Sequence, residues 1–432
     1  MEQYVLQTFR PSLTAVWSVT FMQEKELIPQ LFKTEYRKII SVLCKLFGLV
    51  HIEIAEDIAT DTFLLASETW GLKGIPANPT AWLYVVAKNK TKDYLNRTQL
   101  FTDKIAVELQ NTQENSTEWE LDLSEENIQD SQLQMLFAVC NPINSNESQI
   151  ALALRILCGF GIDEIANALL SSKDTINKRL YRAKAVLREN KVDLSFPSHV
   201  NLETRLDNVL SILYLLFNEG YYSSTAKNTF SKELCVEAMR LLYILSENKS
   251  TNLPKVNALM GLFCFHSSRF NARFDGTGQQ IIYEKQDQTK WDYQLIEKGE
   301  FYLNLSSKGA QISKYHLEAG IAFWHTRINV DQVEKWNGVL QLYNRLLQIE
   351  YSPIIALNRT YALAMATDKK TALKEAIKID LKENPLYQSL LAELYRGLDN
   401  QKERFHLQLA IKLTKNEQEK MLLQEKLKQA TV

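Results

Sequence analysis

Apolar residues recur at the spacing of an α-helix along almost the whole chain, and that period constrains the fold more than any other feature. Leu31, Phe32, Ile39, Ile40, Leu43 and Leu46 follow one such pattern, and Ile54, Ile58 and Leu65 follow another. Residues 132–191 and 200–432 keep the same period. The 432 residues hold only 14 Gly and 9 Pro, which is too few for a turn-rich β fold. The spacing therefore predicts an all-α chain, divided by its length among about two to four domains.

Breaks in the period suggest where those domains meet. Residues 71–79 hold Gly71, Gly74, Pro76 and Pro79 and read as a loop, after which Thr80 is expected to cap a helix running to about Asn96. Residues 98–131 carry nine acids against the single base Lys104, among many Asn, Gln, Ser and Thr, and read as a flexible, solvated linker of net charge −8. Near the end, Leu357, Tyr361 and the run Ala376-Ile377-Lys378 repeat 34 residues later as Leu391, Tyr395 and Ala410-Ile411-Lys412. That period is the one of tetratricopeptide helix pairs.

The five Cys, at 44, 140, 158, 235 and 264, show neither a CxxC nor a paired spacing, so no disulfide framework or metal site is expected. The six His do not pair with Cys or with each other at metal spacing. No nucleophile–base pair and no phosphate-binding loop appears, so the chain is not expected to be an enzyme or to need a cofactor. Met1-Glu2-Gln3, with Arg10 as the first base, does not resemble a secretory signal. The longest apolar runs, 150–160 and 209–217, fall short of the ~20 residues of a spanning helix, and a cytoplasmic protein is expected.

The most informative stretch is 161–188. Ile162, Ile165 and Leu169 form the apolar side of a first short helix, Ser171, Ser172 and Lys173 a polar turn, and Ile176, Leu180, Ala183 and Leu187 the apolar side of a second helix capped by Ser172 or Asp174. Residues 173–191 carry seven bases and two acids. A basic second helix in a helix-turn-helix suits the major groove: Lys173, Lys178, Arg179 and Arg182 can neutralise phosphates, while Asn177, Lys178 or Arg182 reach base edges and Tyr181 shares their face. A solvated basic helix in a bundle fits the same residues.

Two upstream helices add contrasting faces. In the helix after Asn78, apolar Trp82, Leu83, Val86, Ala87 and Tyr94 lie opposite Lys88, Asn89, Lys92 and Asn96, a face that can track an unpaired strand or simply be solvated. In 53–68, Glu53, Glu56, Asp57, Asp61 and Glu68 stand without a base. Glu56, Thr60 and Phe63 fall opposite the Ile54/Ile58/Leu65 stripe, so Phe63 is either exposed on a docking face or packed under a neighbouring loop.

The run 55–63 (Ala-Glu-Asp-Ile-Ala-Thr-Asp-Thr-Phe), then Pro76-Ala77-Asn78-Pro79-Thr80-Ala81-Trp82-Leu83, then the helix-turn-helix, resembles a sigma-70-family RNA polymerase factor of the extracytoplasmic-function type. The likeness extends through 133–142, 213–221 and 286–292 to the subgroup with a long helical, tetratricopeptide-like C-terminal extension. It implies a region 2 helical bundle over 21–97, a linker over 98–131 and a region 4 helix-turn-helix over 132–191. A helical extension over 192–330 and tetratricopeptide-like repeats over 331–432 follow.

By the same resemblance Glu56, Asp57, Thr60, Asp61 and Phe63 dock on core RNA polymerase. Asn78, Lys88, Asn89 and Lys92 take the minus-10 promoter element. Lys173, Asn177, Lys178, Arg179, Tyr181 and Arg182 take the minus-35 element. The partners implied are core polymerase and promoter DNA, with a regulatory protein or small molecule at the extension. The chain departs from the family pattern where Thr60-Asp61 replaces Gln-Glu, Asn141 replaces His, and 367–370 replaces a motif of Asp, Gly and Pro. A stand-alone helix-turn-helix regulator with a sensing extension is the alternative. In the extension, Asn218, Glu219, Tyr221, Tyr222, Asp275, Gly276 and Gly278 form either a pocket for a signal molecule or polar groups that satisfy one another.

Overall fold

The computed structural model describes residues 24–97, 121–221, 229–275, 281, 283–414 and 417–430. Among them the regular elements are helices and no β-strand occurs, which is the all-α class expected. The chain divides into two units, residues 1–212 and 213–432.

The first unit begins with α1 (Glu24–Phe47), α2 (Ile52–Lys73) and α3 (Pro79–Arg97). Tyr36, Ile39, Ile40, Leu43 and Cys44 of α1 are wholly buried, against α2 and α4. The buried stripe of α2 is Ile52, Ala55, Ile58, Ala59, Thr62, Phe63, Ala66 and Trp70. It runs at steps of three and four residues, as an amphipathic helix requires. Leu65, expected in the core, is exposed instead, and Phe63 is buried at 5% exposure. The expected stripe missed this face because much of it is Ala and Thr, small residues that let α1 approach closely.

Asn78, not Thr80, caps α3: its side-chain oxygen accepts from the Ala81 N–H at 3.0 Å. Leu83, Ala87, Thr91 and Leu95 form the buried side of α3, while Trp82, Val86 and Tyr94 are half-buried.

The expected linker ends earlier than 131. Helix α4 (Glu125–Val139) starts inside it, capped by Ser124, which accepts from the Asn127 N–H at 3.3 Å. Leu121 and Ile128 are buried. Glu125 and Glu126 occupy the first turn, where carboxylates favour the helix dipole. Acids that looked like linker are thus partly a helix start. Residues 98–120 of the expected linker lie outside the described residues.

Helix α5 (Asn146–Leu152) runs into a π-turn, Ala153–Leu157. Then α6 (Ile162–Ala168) and α7 (Lys173–Glu189) form the expected helix pair, and Ser172 caps α7 by accepting from the Thr175 N–H at 3.1 Å. Ile165, Ala166, Ile176, Leu180, Ala183 and Leu187 are buried, while Ile162 and Leu169 are only half-buried.

The first unit continues past residue 191, into α8 (His199–Tyr221). Arg205 donates to the Phe137 carbonyl, and Asn208 donates to Cys140 O at 2.8 Å and Gln149 Oε1 at 2.9 Å.

The second unit carries α9 (Thr229–Glu247), α10 (Pro254–Ser267), α11 (Tyr293–Ser306) and α12 (Lys314–Thr326). Helix α10 is buried on most sides by α9, α11 and α12. A Cβ at Gly261 would sit 3.2 Å from the Gly299 carbonyl, so these two glycines set how closely α10 and α11 pack. Helices α13 (Gln332–Ile349), α14 (Pro353–Ala366), α15 (Lys369–Ala376), α16 (Pro385–Tyr395), α17 (Asn400–Leu413) and α18 (Glu417–Gln429) follow, each packed on the next. Both copies of the 34-residue repeat bury the same positions, Leu357 with Leu391 and Ala376 with Ala410.

The five cysteines are buried thiols, and burial pushes Cys140 and Cys264 up to about 12. Among the described residues no helix is long and apolar enough to cross a membrane.

Candidate nucleic-acid interface

Helix α7 has two kinds of basic residue. Lys184 turns inward onto α2, and Arg188 reaches α2 at the surface. Lys184 pairs with Glu56, and Arg188 Nη2 lies 2.9 Å from Glu53 Oε1. The π-turn adds Arg155, whose Nε is 3.5 Å from Glu56 Oε1 and whose Nη1 donates to the Phe160 carbonyl at 3.2 Å. Glu56 thus sits half-buried between two cations, where loss of one partner weakens the contact and leaves the other in place.

The opposite side of α7 faces solvent. Asn177, Lys178, Tyr181 and Arg182 are exposed, Tyr181 at 73%, and Arg179 is half-buried. Among the described residues no ion pair involves Lys178, Arg179 or Arg182. Lys173 Nζ pairs with Asp163 Oδ1 at 2.6 Å across the turn. Asn144 holds α7 to the body by donating to the Ala183 carbonyl at 3.3 Å. The turn carries Leu170 at φ 45°, a left-handed conformation, with 90% exposure. A rigid helix with two cations, an amide and a phenol outward can supply phosphate and base-edge contacts.

The minus-10 candidates lie apart in kind. Asn89 and Lys92 are exposed on α3, Lys88 is half-buried, and the Asn78 side chain serves as the α3 cap. Trp82 packs edge-on to Trp70 at 5.3 Å, and Tyr84 donates to Glu35 at 2.6 Å, so α3 is anchored on α1 and α2 behind its polar face.

The docking candidates of α2 split. Phe63 packs edge-on against Phe32 at 5.1 Å and is no exposed contact, which corrects the open reading toward burial. Its aromatic neighbours Phe32 and Tyr36 come from α1. Asp57, Thr60 and Asp61 are exposed, with Asp61 Oδ2 3.5 Å from Lys90 Nζ. Leu64 joins them on that face at 56% exposure. The sequence signal for it was available: Leu64 lies seven residues after Asp57 and three and four after Asp61 and Thr60.

Together the elements define an all-α protein of two helical units, the first presenting a basic helix in the second position of a short helix pair. The chain belongs to the family of an uncharacterized protein of Rhizobium meliloti (strain 1021), with which it is 30% identical over 324 residues, 75% of this chain and 76% of that one. Residues 205–307, from within α8 to just beyond α11, match a family of unknown function, DUF6596. No solved structure matches the chain.

Proposed function

We propose that the chain is a sigma factor of the extracytoplasmic-function type, which brings core RNA polymerase to a promoter and performs no chemistry of its own. The observation that carries this reading is the outward side of α7. There Asn177, Lys178, Tyr181 and Arg182 stand in solvent while the other flank of the same helix is used for packing. In this reading α7 enters the minus-35 major groove with Lys173 and Arg179 at its edges. Asn89, Lys92, Lys88 and the Asn78 turn hold the upstream end of the opened minus-10 strand. Asp57, Thr60, Asp61 and Leu64 meet core polymerase. Glu56 and Phe63 position that face from beneath. The order of the three motifs along the chain supports the same assignment, and so do helices α14–α17, whose repeat fits a tetratricopeptide-like extension. The protein works in the cytoplasm, and the extension is its regulatory part.

One observation favours the alternative of a stand-alone helix-turn-helix regulator. Glu53 and Glu56 of the expected docking helix are engaged by α7 and the π-turn, so part of α2 is covered within the first unit. Gel filtration with core polymerase separates the readings. A sigma factor co-elutes with core and binds promoter DNA weakly without it. A stand-alone regulator binds its site tightly alone and leaves core untouched.

A further inference from the structure

The second unit gathers three basic side chains around two tyrosines, two of them buried. Lys335 of α13 is 4% exposed and Arg273 is 6% exposed, and Arg269 is half-buried beside them. Lys335 Nζ donates to Tyr283 Oη at 3.0 Å and lies 5.0 Å from that ring. The Arg269 guanidinium is 5.2 Å from the same ring and donates to Tyr221 Oη at 3.3 Å. The Arg273 guanidinium lies 3.8 Å over the Tyr221 ring and donates to the Tyr221 carbonyl. His325 and His266 border the group, stacked edge-on at 5.1 Å to Tyr283 and tilted at 4.6 Å to Tyr221.

Among the described residues no carboxylate forms an ion pair with Lys335, Arg269 or Arg273. Buried charges are ordinarily paired with opposite charges, because leaving them unpaired in a dry interior is costly. Cation–π contacts with Tyr221 and Tyr283 offset part of that cost, not all of it. The group also holds buried nitrogens with no hydrogen-bond partner among the described residues: Arg269 Nε, His266 Nδ1 and His325 Nδ1, with Trp291 Nε1 beside the Tyr283 ring. Burial first, and the positive neighbours second, keep both imidazoles neutral: burial, then Lys335 and Arg269, hold His325 down to about 3, and burial, then Arg269 and Arg273, hold His266 well below its ordinary value. Arg269, Tyr283 and His325 are half-buried, so the edge of the cluster reaches solvent.

We infer that Arg269, Arg273 and Lys335, with His266, His325 and Trp291 as further donors, form a binding site for a small oxyanion, carboxylate or phosphate, in the second unit. The site collects positive charge and unpartnered nitrogens, and among the described residues no carboxylate balances it; a ligand of that chemistry supplies the counter-charge. Its residues come from α10, the turn after it, the 283–291 segment, α12 and α13, so an anion there ties these elements together. The inference stands on the second unit alone and does not depend on the sigma-factor reading.

Thermal unfolding of the full chain is measured with inorganic pyrophosphate in one arm and citrate in the other, at matched ionic strength with chloride as the control. The wild type should gain about 5 °C when the anion exceeds its dissociation constant about a hundredfold. The arm that responds identifies phosphate or carboxylate. Arg269→Gln should raise the dissociation constant at least about tenfold, and Lys335→Met should abolish the shift while leaving the ligand-free protein as stable as the wild type or more so, since an unpaired buried charge is gone. No shift with either anion, an equal shift in both variants, or a Lys335→Met protein less stable than the wild type without ligand would each overturn the site.

Discussion

Glu318 of α12 carries the plainest pH signature in the chain. Burial raises its carboxyl to about 7 from an ordinary 4.5, against the opposing pull of the Tyr214 hydrogen bond and of Lys314, and with the Glu350 carboxylate adding to the rise. The folded chain therefore holds this proton more tightly than the unfolded chain. Its contribution to stability is complete below pH 4.5 and is lost as the pH rises through about 7. His325 works the other way: its contribution is complete above its ordinary 6.5 and is lost as the pH falls toward about 3. Glu318→Gln keeps a partner for Tyr214 and removes the titration. Urea midpoints taken at about pH 6 and about pH 8.5 should fall for the wild type and change less for the variant. On α2 the two neighbours Phe63 and Leu64 make an internal control. Phe63→Ala should cost about 3–5 kcal/mol in denaturant unfolding, because it empties a site lined by Phe32 and Tyr36. Leu64→Ala should cost under about 1 kcal/mol and lower core polymerase affinity if that face docks.

At the scale of elements, helix α7 was the most legible part of the chain. Its apolar positions fall at helical spacing over the whole length and its cap is a serine, so local propensity and packing agree. Helix α2 was less legible. Its buried side is drawn in small residues, and it meets α1 and α3 on that side while Glu53 and Glu56 meet cations from α7 and the π-turn. No wheel of one helix can show a second partner arriving from about 130 residues later in sequence. Ser124 was a readable cap, yet the acid count around it pointed to linker, and dipole-favoured carboxylates are the physical reason the two signals coincide. These contacts make a prediction for α7. Lys178→Ala with Arg182→Ala should weaken promoter binding by the polymerase complex and lower the salt slope by about one for each lost phosphate contact, measured by filter binding across salt concentrations. Stability should stay near the wild type, since neither side chain is packed. Lys184→Ala should do the reverse, lowering stability by about 1–2 kcal/mol, because Glu56 loses one of its two cations and keeps only Arg155.

For the whole molecule, a formal net charge of −1 hides segregation. Residues 173–191 are strongly basic and the helix 53–68 holds acids without a base, and the structure shows that these two blocks partly neutralise each other within the first unit. Sequence separated the blocks correctly and assigned each an outside partner. It did not show that Lys184 and Arg188 belong to the fold and Lys178 and Arg182 to the surface, because side-chain direction depends on where α7 lands. The same holds for the end of the first unit, which extends to residue 212 through hydrogen bonds from Arg205 and Asn208 that no local pattern announces. A chain ending at residue 195 should therefore unfold at lower denaturant than one ending at residue 212, by about 2–4 kcal/mol, with tryptophan fluorescence as the readout.

Run-off transcription with purified core RNA polymerase and the full chain, on a library of upstream fragments from its own genome, tests the sigma-factor reading most directly. The reading predicts defined transcripts that appear only when the chain is added, that vanish with Lys178→Ala and Arg182→Ala together, and that accompany co-elution of chain and core. A chain that yields no transcript, stays apart from core on gel filtration and binds one DNA sequence tightly by itself would contradict it.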